Sequence, residues 1–151
     1  MSGLVLRDAR RDEVPLIMRM LVDDELGASR EKLDQPQIYL DAYDRIAGDR
    51  NNRLLVAEQD GAVVGTLQLT FLHGLSRQGA TRALIEAVRV DAAWRGKGVG
   101  RRMIHAAIDM ARAANCAMVQ LTTDKSRKDA HRFYESLGFV ASHEGMKLAL
   151  R

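Results

Sequence analysis

The chain has 151 residues, 46% hydrophobic and 28% charged, with a formal net charge of +3; this is the size of one domain and the composition of a folded one, not a disordered tract. No apolar run approaches the ~18 residues of a membrane helix, and residues 1–8 lack the apolar core of a signal peptide, so the expectation is a cytoplasmic protein without a membrane partner. The single cysteine, Cys116, cannot form an internal disulfide, and no Cys/His cluster has zinc-site spacing, so no metal is expected.

Residues 4–7 read as a first strand. Asp12 is a candidate N-cap, and Pro15 falls in the first turn of the helix that follows, where its missing N–H costs little. Leu16, Ile17, Met20 and Leu21 then recur at helical spacing. A more polar helix is predicted over residues 37–47, just after Pro36. Strands are predicted over 53–58 and 62–71, joined by Asp60-Gly61, a dipeptide suited to a two-residue hairpin turn. A short apolar strand follows over 84–90. From 98 to 114 the pattern is an amphipathic helix: Val99, Met103, Ala107, Met110 and Ala114 form one stripe, opposite Arg101, His105, Asp109 and Arg112. A strand over 117–123, a helix over 127–137 stopped by Gly138, and strands over 139–141 and 146–150 complete the chain. The order β-α-α-β-β-β-α-β-α-β-β implies a mixed α/β domain around one central sheet.

Charge is unevenly distributed. Residues 12–49 carry ten acids against four bases, whereas residues 95–132 carry nine bases against three acids. Such polarity suits a ligand with an anionic end and a cationic end. A nucleic-acid partner is not expected, because only residues 132–134 combine a base with aromatic side chains.

The most informative stretch is residues 88–102, where a strand passes through a glycine-rich loop into a helix. Gly96, Gly98 and Gly100 let backbone N–H groups approach a ligand at the positive end of the helix dipole, with Arg95, Lys97, Arg101 and Arg102 around them. A pyrophosphate suits that environment. The segment contains no Gly-Lys-Ser/Thr, as a Walker loop would, and its glycines are not spaced G-x-G-x-x-G as in a Rossmann turn.

Arg95-Gly-Lys-Gly98-Val-Gly100 does match [QR]-x-x-G-x-[GA], and here the chain resembles the GNAT family of acyl-CoA-dependent N-acetyltransferases. Ala130-His-Arg-Phe-Tyr134-Glu-Ser-Leu-Gly138-Phe139 resembles the same family's A-x-x-x-Y-x-x-x-G-F segment. Many members carry Asn three residues before that alanine; this chain has Arg127. The resemblance implies a single domain over residues 1–151. Its fold would be a mixed, mostly antiparallel sheet, splayed between its fourth and fifth strands and flanked by about four helices. It implies acetyl-CoA as cosubstrate, a small-molecule amine as acceptor, direct attack in a ternary complex, and a homodimer as an assembly state. Acetylation of a protein N-terminus or lysine, and a non-catalytic acyl-CoA sensor, are the alternatives.

By the same resemblance, the backbone of Val88, Arg89 and Val90 lies along the pantetheine arm, with the Val90 N–H facing the thioester oxygen. Arg95, Gly96, Lys97, Gly98, Val99, Gly100 and Arg101 hold the pyrophosphate through their amides. Tyr134 is the candidate general acid, since a phenol of pKa about 10 stays protonated at neutral pH. An alkylammonium of pKa about 10.4 is neutral in only about one part in a few thousand at pH 7, which adds roughly 4–5 kcal/mol unless a base assists. Glu86 is the candidate base, set in an apolar strand where an unpartnered carboxylate is costly. Strict alternation places Arg89 on the face opposite Glu86, unless a bulge intervenes. Asp23, Asp24 and Glu25 are candidates for the acceptor wall, and His73 is a second candidate base. Cys116 reads as a small apolar residue.

Overall fold

Apolar residues run nearly unbroken through the middle of the central strands, and because successive side chains point to opposite faces they supply both covered faces of a sheet. The computed structural model describes residues 3–151; Met1 and Ser2, the start of the segment judged not to be a signal peptide, lie outside the described residues. The chain divides into two compact units, one ending at Gln120 and the other spanning Leu121–Arg151.

The first unit begins with β1 (Val5–Asp8) and a 3-10 turn (Arg11–Glu13), followed by α1 (Val14–Val22), α2 (Glu25–Arg30) and α3 (Pro36–Ala47). Asp12 lies inside the 3-10 turn and does not cap α1; Glu13 occupies that position and accepts from the Arg10 N–H. Pro15 and Pro36 fall in first helical turns, as predicted. β2 (Asn52–Gln59) and β3 (Ala62–His73) form the expected hairpin, with Asp60 at φ +53° and Gly61 at φ +79°, the doubly left-handed pair of a type I′ turn. A single turn, α4 (Ser76–Gly79), leads into β4 (Thr81–Val90), then a 3-10 turn (Ala92–Trp94), α5 (Val99–Ala113) and β5 (Met118–Gln120).

The sheet order is β1-β2-β3-β4-β5, antiparallel except for the parallel β4–β5 pair. That last ladder joins only Arg82–Leu84 to Met118–Gln120, whereas β4 continues to Val90, so the two strands part there as the resemblance implied. Leu55, Leu67, Leu69, Ala83 and Ile85 line one face against Met103, Ile104, Ala107 and Ala111 of α5. The buried stripe of α5 therefore includes Ile104 and Ala111, while Ala114 is exposed past the helix end. Gly65 permits this packing: a Cβ there would lie 2.5 Å from Met103 Sδ and 2.8 Å from the Arg89 carbonyl oxygen. On the other face, Val56 packs with Ala9, Ile17 and Met20, bringing α1 and α3 over the sheet.

The second unit contains α6 (Lys128–Ser136), closed by Gly138 at φ +97°. The strands expected over 139–141 and 146–150 do not form. Their apolar residues, Val140, Met146, Leu148 and Leu150, stand exposed, and a strand without a ladder partner has neither hydrogen bonds nor a buried face to hold it. Six helices are present among the described residues rather than about four; the additional ones are the short α2 and α4.

Candidate active site

A β-bulge decides the geometry of β4. Thr66 pairs with Arg89 and Gln68 with Glu86, so a single β3 residue, Leu67, faces both Ala87 and Val88. Ala87 takes up the extra residue at φ +53°, left-handed backbone that is costly for alanine. Thr66 and Gln68 share a face of β3, so the bulge puts Arg89 and Glu86 on one face of the sheet, the face that α1 covers. Without it Arg89 would point towards α5.

The bulge is followed by ordinary pairing. The Asp91 N–H bonds the Val64 carbonyl at 2.8 Å, which makes Gly65–Val90 a non-hydrogen-bonded pair. The Val90 N–H is therefore directed away from β3, along the stretch of β4 beyond the β5 ladder. Gly96 and Gly98 follow at φ +75° and +77°, both with nothing within 4 Å of where a Cβ would stand. Gly98 is the N-cap of α5, whose first turn runs through Val99, Gly100 and Arg101 to a bond from the Arg102 N–H to the Gly98 carbonyl at 3.2 Å. Helix geometry directs the first-turn N–H groups out of that end. An anion with several oxygens suits this cradle, because the space where a Cβ would stand at Gly96 and Gly98 is open.

The basic side chains are less available than the sequence suggests. Arg95 reaches back to Asp23, donating to its carbonyl at 2.9 Å and meeting its carboxylate at 3.1 Å. Lys97 Nζ lies 5.4 Å from the centre of the Trp94 ring, a cation–π contact beside the loop. Arg102 Nε turns to the Gly98 carbonyl at 3.4 Å.

Glu86 is exposed rather than buried in its apolar strand, so the desolvation cost expected of it does not arise. Among the described residues it forms no ion pair; its register neighbour Gln68 donates to Asn52 Oδ1 at 2.9 Å. His73 is exposed and bonded to Thr81 Oγ1 and Asn51 Oδ1 at 2.9 and 3.2 Å, which ties it to the strand end. Burial pushes the Cys116 thiol up from its ordinary range, away from the thiolate form. In the second unit, Tyr134 stands edge-on between Phe133 and Phe139, with ring centroids at 5.1 and 5.8 Å.

One feature escaped the sequence reading. Asp24 caps α2 by accepting from the Gly27 N–H, and its Oδ2 lies 3.0 Å from Arg89 Nε, as a charge contact off the ideal hydrogen-bond direction. Both side chains are largely buried. The available signal was Asp24-x-x-Gly27 directly after a helix; the arginine partner came only with the fold.

Residues 17–139 match the model of the acetyltransferase (GNAT) family. The chain belongs to that family and is an N-acetyltransferase by kinship. It is 31% identical over 148 residues to glucosamine 6-phosphate N-acetyltransferase of Trypanosoma brucei brucei, covering 92% of this chain and 99% of that one. It is also 31% identical over 110 residues to aminoalkylphosphonate N-acetyltransferase of Salmonella typhimurium, covering 71% and 69%. Among solved structures, a transcriptional regulator from Bacillus halodurans C-125 is 44% identical, with a TM-score of 0.92 over 98% of this chain and 100% of that one.

Proposed function

We propose that this GNAT protein transfers an acetyl group from acetyl-CoA to the primary amine of a small metabolite by direct attack in a ternary complex. Residues 1–151 would act as one domain, in the cytoplasm and as a homodimer. The observation that carries the reading is the run from Val90 to Arg101. It presents an outward strand N–H, two left-handed glycines with open space above them and the start of a helix, in the order in which an acyl-pantetheine diphosphate would meet them. The cosubstrate supplies the acetyl group as an activated thioester.

In this reading Val88 and Val90 align the pantetheine arm by strand-like backbone bonds, and the Val90 N–H polarises the thioester oxygen. Amides from Arg95 to Arg101 take the pyrophosphate. Glu86, being exposed, takes the proton of the ammonium through a water molecule, and the freed amine attacks the carbonyl carbon. As the C–S bond breaks, the Tyr134 phenol would protonate the departing thiolate, and the proton still carried by the acylated nitrogen would return to the tyrosinate through water, leaving a neutral amide and a neutral phenol. Two relatives named for phosphorylated or phosphonylated amines support a small-molecule acceptor. A second reading, a non-catalytic acyl-CoA sensor, is suggested only by the naming of the Bacillus halodurans protein as a transcriptional regulator.

The test has two parts. Acetyl-CoA at 100 times its Kd should add about 2.7 kcal/mol and raise Tm by several degrees, a shift lost when Gly98 is replaced by a bulkier residue. Thiol release with a panel of glucosamine 6-phosphate, an aminoalkylphosphonate, and peptides with a free N-terminus or lysine then identifies the acceptor class. Binding with no thiol release from any acceptor leaves the sensor; no shift at millimolar acetyl-CoA defeats both readings.

A further inference from the structure

The link between α1 and α2 is two residues, Asp23 and Asp24, and each meets an arginine from the cofactor side of the sheet. Asp24 contacts Arg89 of β4, and Asp23 contacts Arg95 of the glycine loop. Both arginines also bond the backbone proposed to run along the pantetheine arm: Arg89 Nη1 donates to the Val88 carbonyl at 3.0 Å and Arg95 Nε to the Val90 carbonyl at 3.3 Å. α2 has six residues, too few to hold its shape alone, so its placement depends on tertiary contacts, among them these two and its packing on α1. Gly27 tightens the link, since a Cβ there would lie 1.8 Å from the Leu21 carbonyl oxygen.

We infer that Asp24–Arg89, seconded by Asp23–Arg95, is a clamp that sets the α1–α2 link over the Glu86 face of β4 and so positions the acceptor amine against the thioester. The inference rests on the catalytic reading above for the amine, but not for the mechanical link. Asp24 and Arg89 are positioning residues. The bulge makes the clamp possible, because it turns Arg89 onto the α1 side of the sheet. The pair is buried enough that water does not replace either partner cheaply, so loss of one charge frees the link instead of merely exposing it.

Asp24→Asn tests the clamp, because asparagine caps a helix as well as aspartate does while removing the charge that faces Arg89. With the ligand-free protein, amide exchange should quicken about tenfold at two separated sites, the Ala28 N–H of α2 and the Asp91 N–H at the end of β4. A change confined to Ala28 would mean that only the cap was disturbed, and the clamp falls. With the best amine of the panel, its KM should rise about tenfold while the calorimetric Kd for acetyl-CoA stays within twofold. Arg89→Met should raise the amine KM at least as far, Arg89→Lys less, and the double variant Asp24→Asn/Arg89→Met should be no worse than Arg89→Met alone. Parallel loss of acetyl-CoA affinity in Asp24→Asn, or fully additive losses in KM, overturns the positioning role. If the wild type acetylates no amine, the catalytic reading fails separately, and the ligand-free exchange result decides the clamp.

Discussion

Glu13→Gln should destabilise the protein at neutral pH and cease to matter in acid. Glu13 is 7% exposed at the entry to α1. Arg7 donates to both of its oxygens at 2.9 and 2.7 Å, and the Arg10 N–H adds a bond at 2.8 Å. The Arg7 hydrogen bonds, against the opposing effect of burial, hold the carboxyl at about 2, below its ordinary 4.5. At about 1.36 kcal/mol per pH unit, that gap corresponds to about 3 kcal/mol of stability. Arg7 is 25% exposed and keeps Glu58 at 3.2 Å, so glutamine, which still accepts from Arg10, should cost the smaller figure of about 2 kcal/mol. Because the folded value lies below the unfolded one, the contribution is complete above about pH 4.5 and disappears as pH falls towards 2. Urea melts of both proteins between pH 7 and pH 2 measure it. A difference that stays constant across that range, or is absent at pH 7, would refute the ionic account of this contact.

Gly65→Ala should cost about 1–3 kcal/mol in a thermal or urea melt: Met103 can swing away, but the Arg89 carbonyl on the neighbouring strand cannot. An unchanged Tm would show that α5 does not press on β3 at this point. Tyr134→Phe should lower kcat by about 10²–10⁴-fold with the acetyl-CoA Kd unchanged. Early melting with weak acetyl-CoA binding would instead make the phenol part of the Phe133–Phe139 aromatic packing. Glu86→Gln should slow acetylation of an alkylamine at pH 7 and recover in part as pH approaches the amine's own pKa, while an aromatic amine is little affected. Equal losses on both amines at every pH would remove Glu86 as the base.

Much of the fold is local enough to be legible in the residues. Asp60-Gly61 specifies its hairpin because both positions take positive φ with little strain, and Pro15 and Pro36 mark helix starts because a first-turn residue needs no N–H partner. The glycine loop and the helix behind it are legible for the same reason, since Gly96 and Gly98 fix their backbone within a few residues. Tertiary structure decided what depends on partners far along the chain. Alternation within β4 assigns Arg89 to the α5 side; only the register of β3 on both sides of Ala87 reveals the inserted residue and turns the guanidinium towards Asp24. α2 is too short for a periodic signal, and Asp23 finds Arg95 72 positions away. Glu86 sits in an apolar run yet is exposed, because burial is set by what packs over a strand and not by its neighbours in sequence. The alternating apolar residues after Phe139 satisfy the pattern of a strand, but a pattern supplies only one side of a ladder, and the hydrogen bonds that make it a strand must come from another segment.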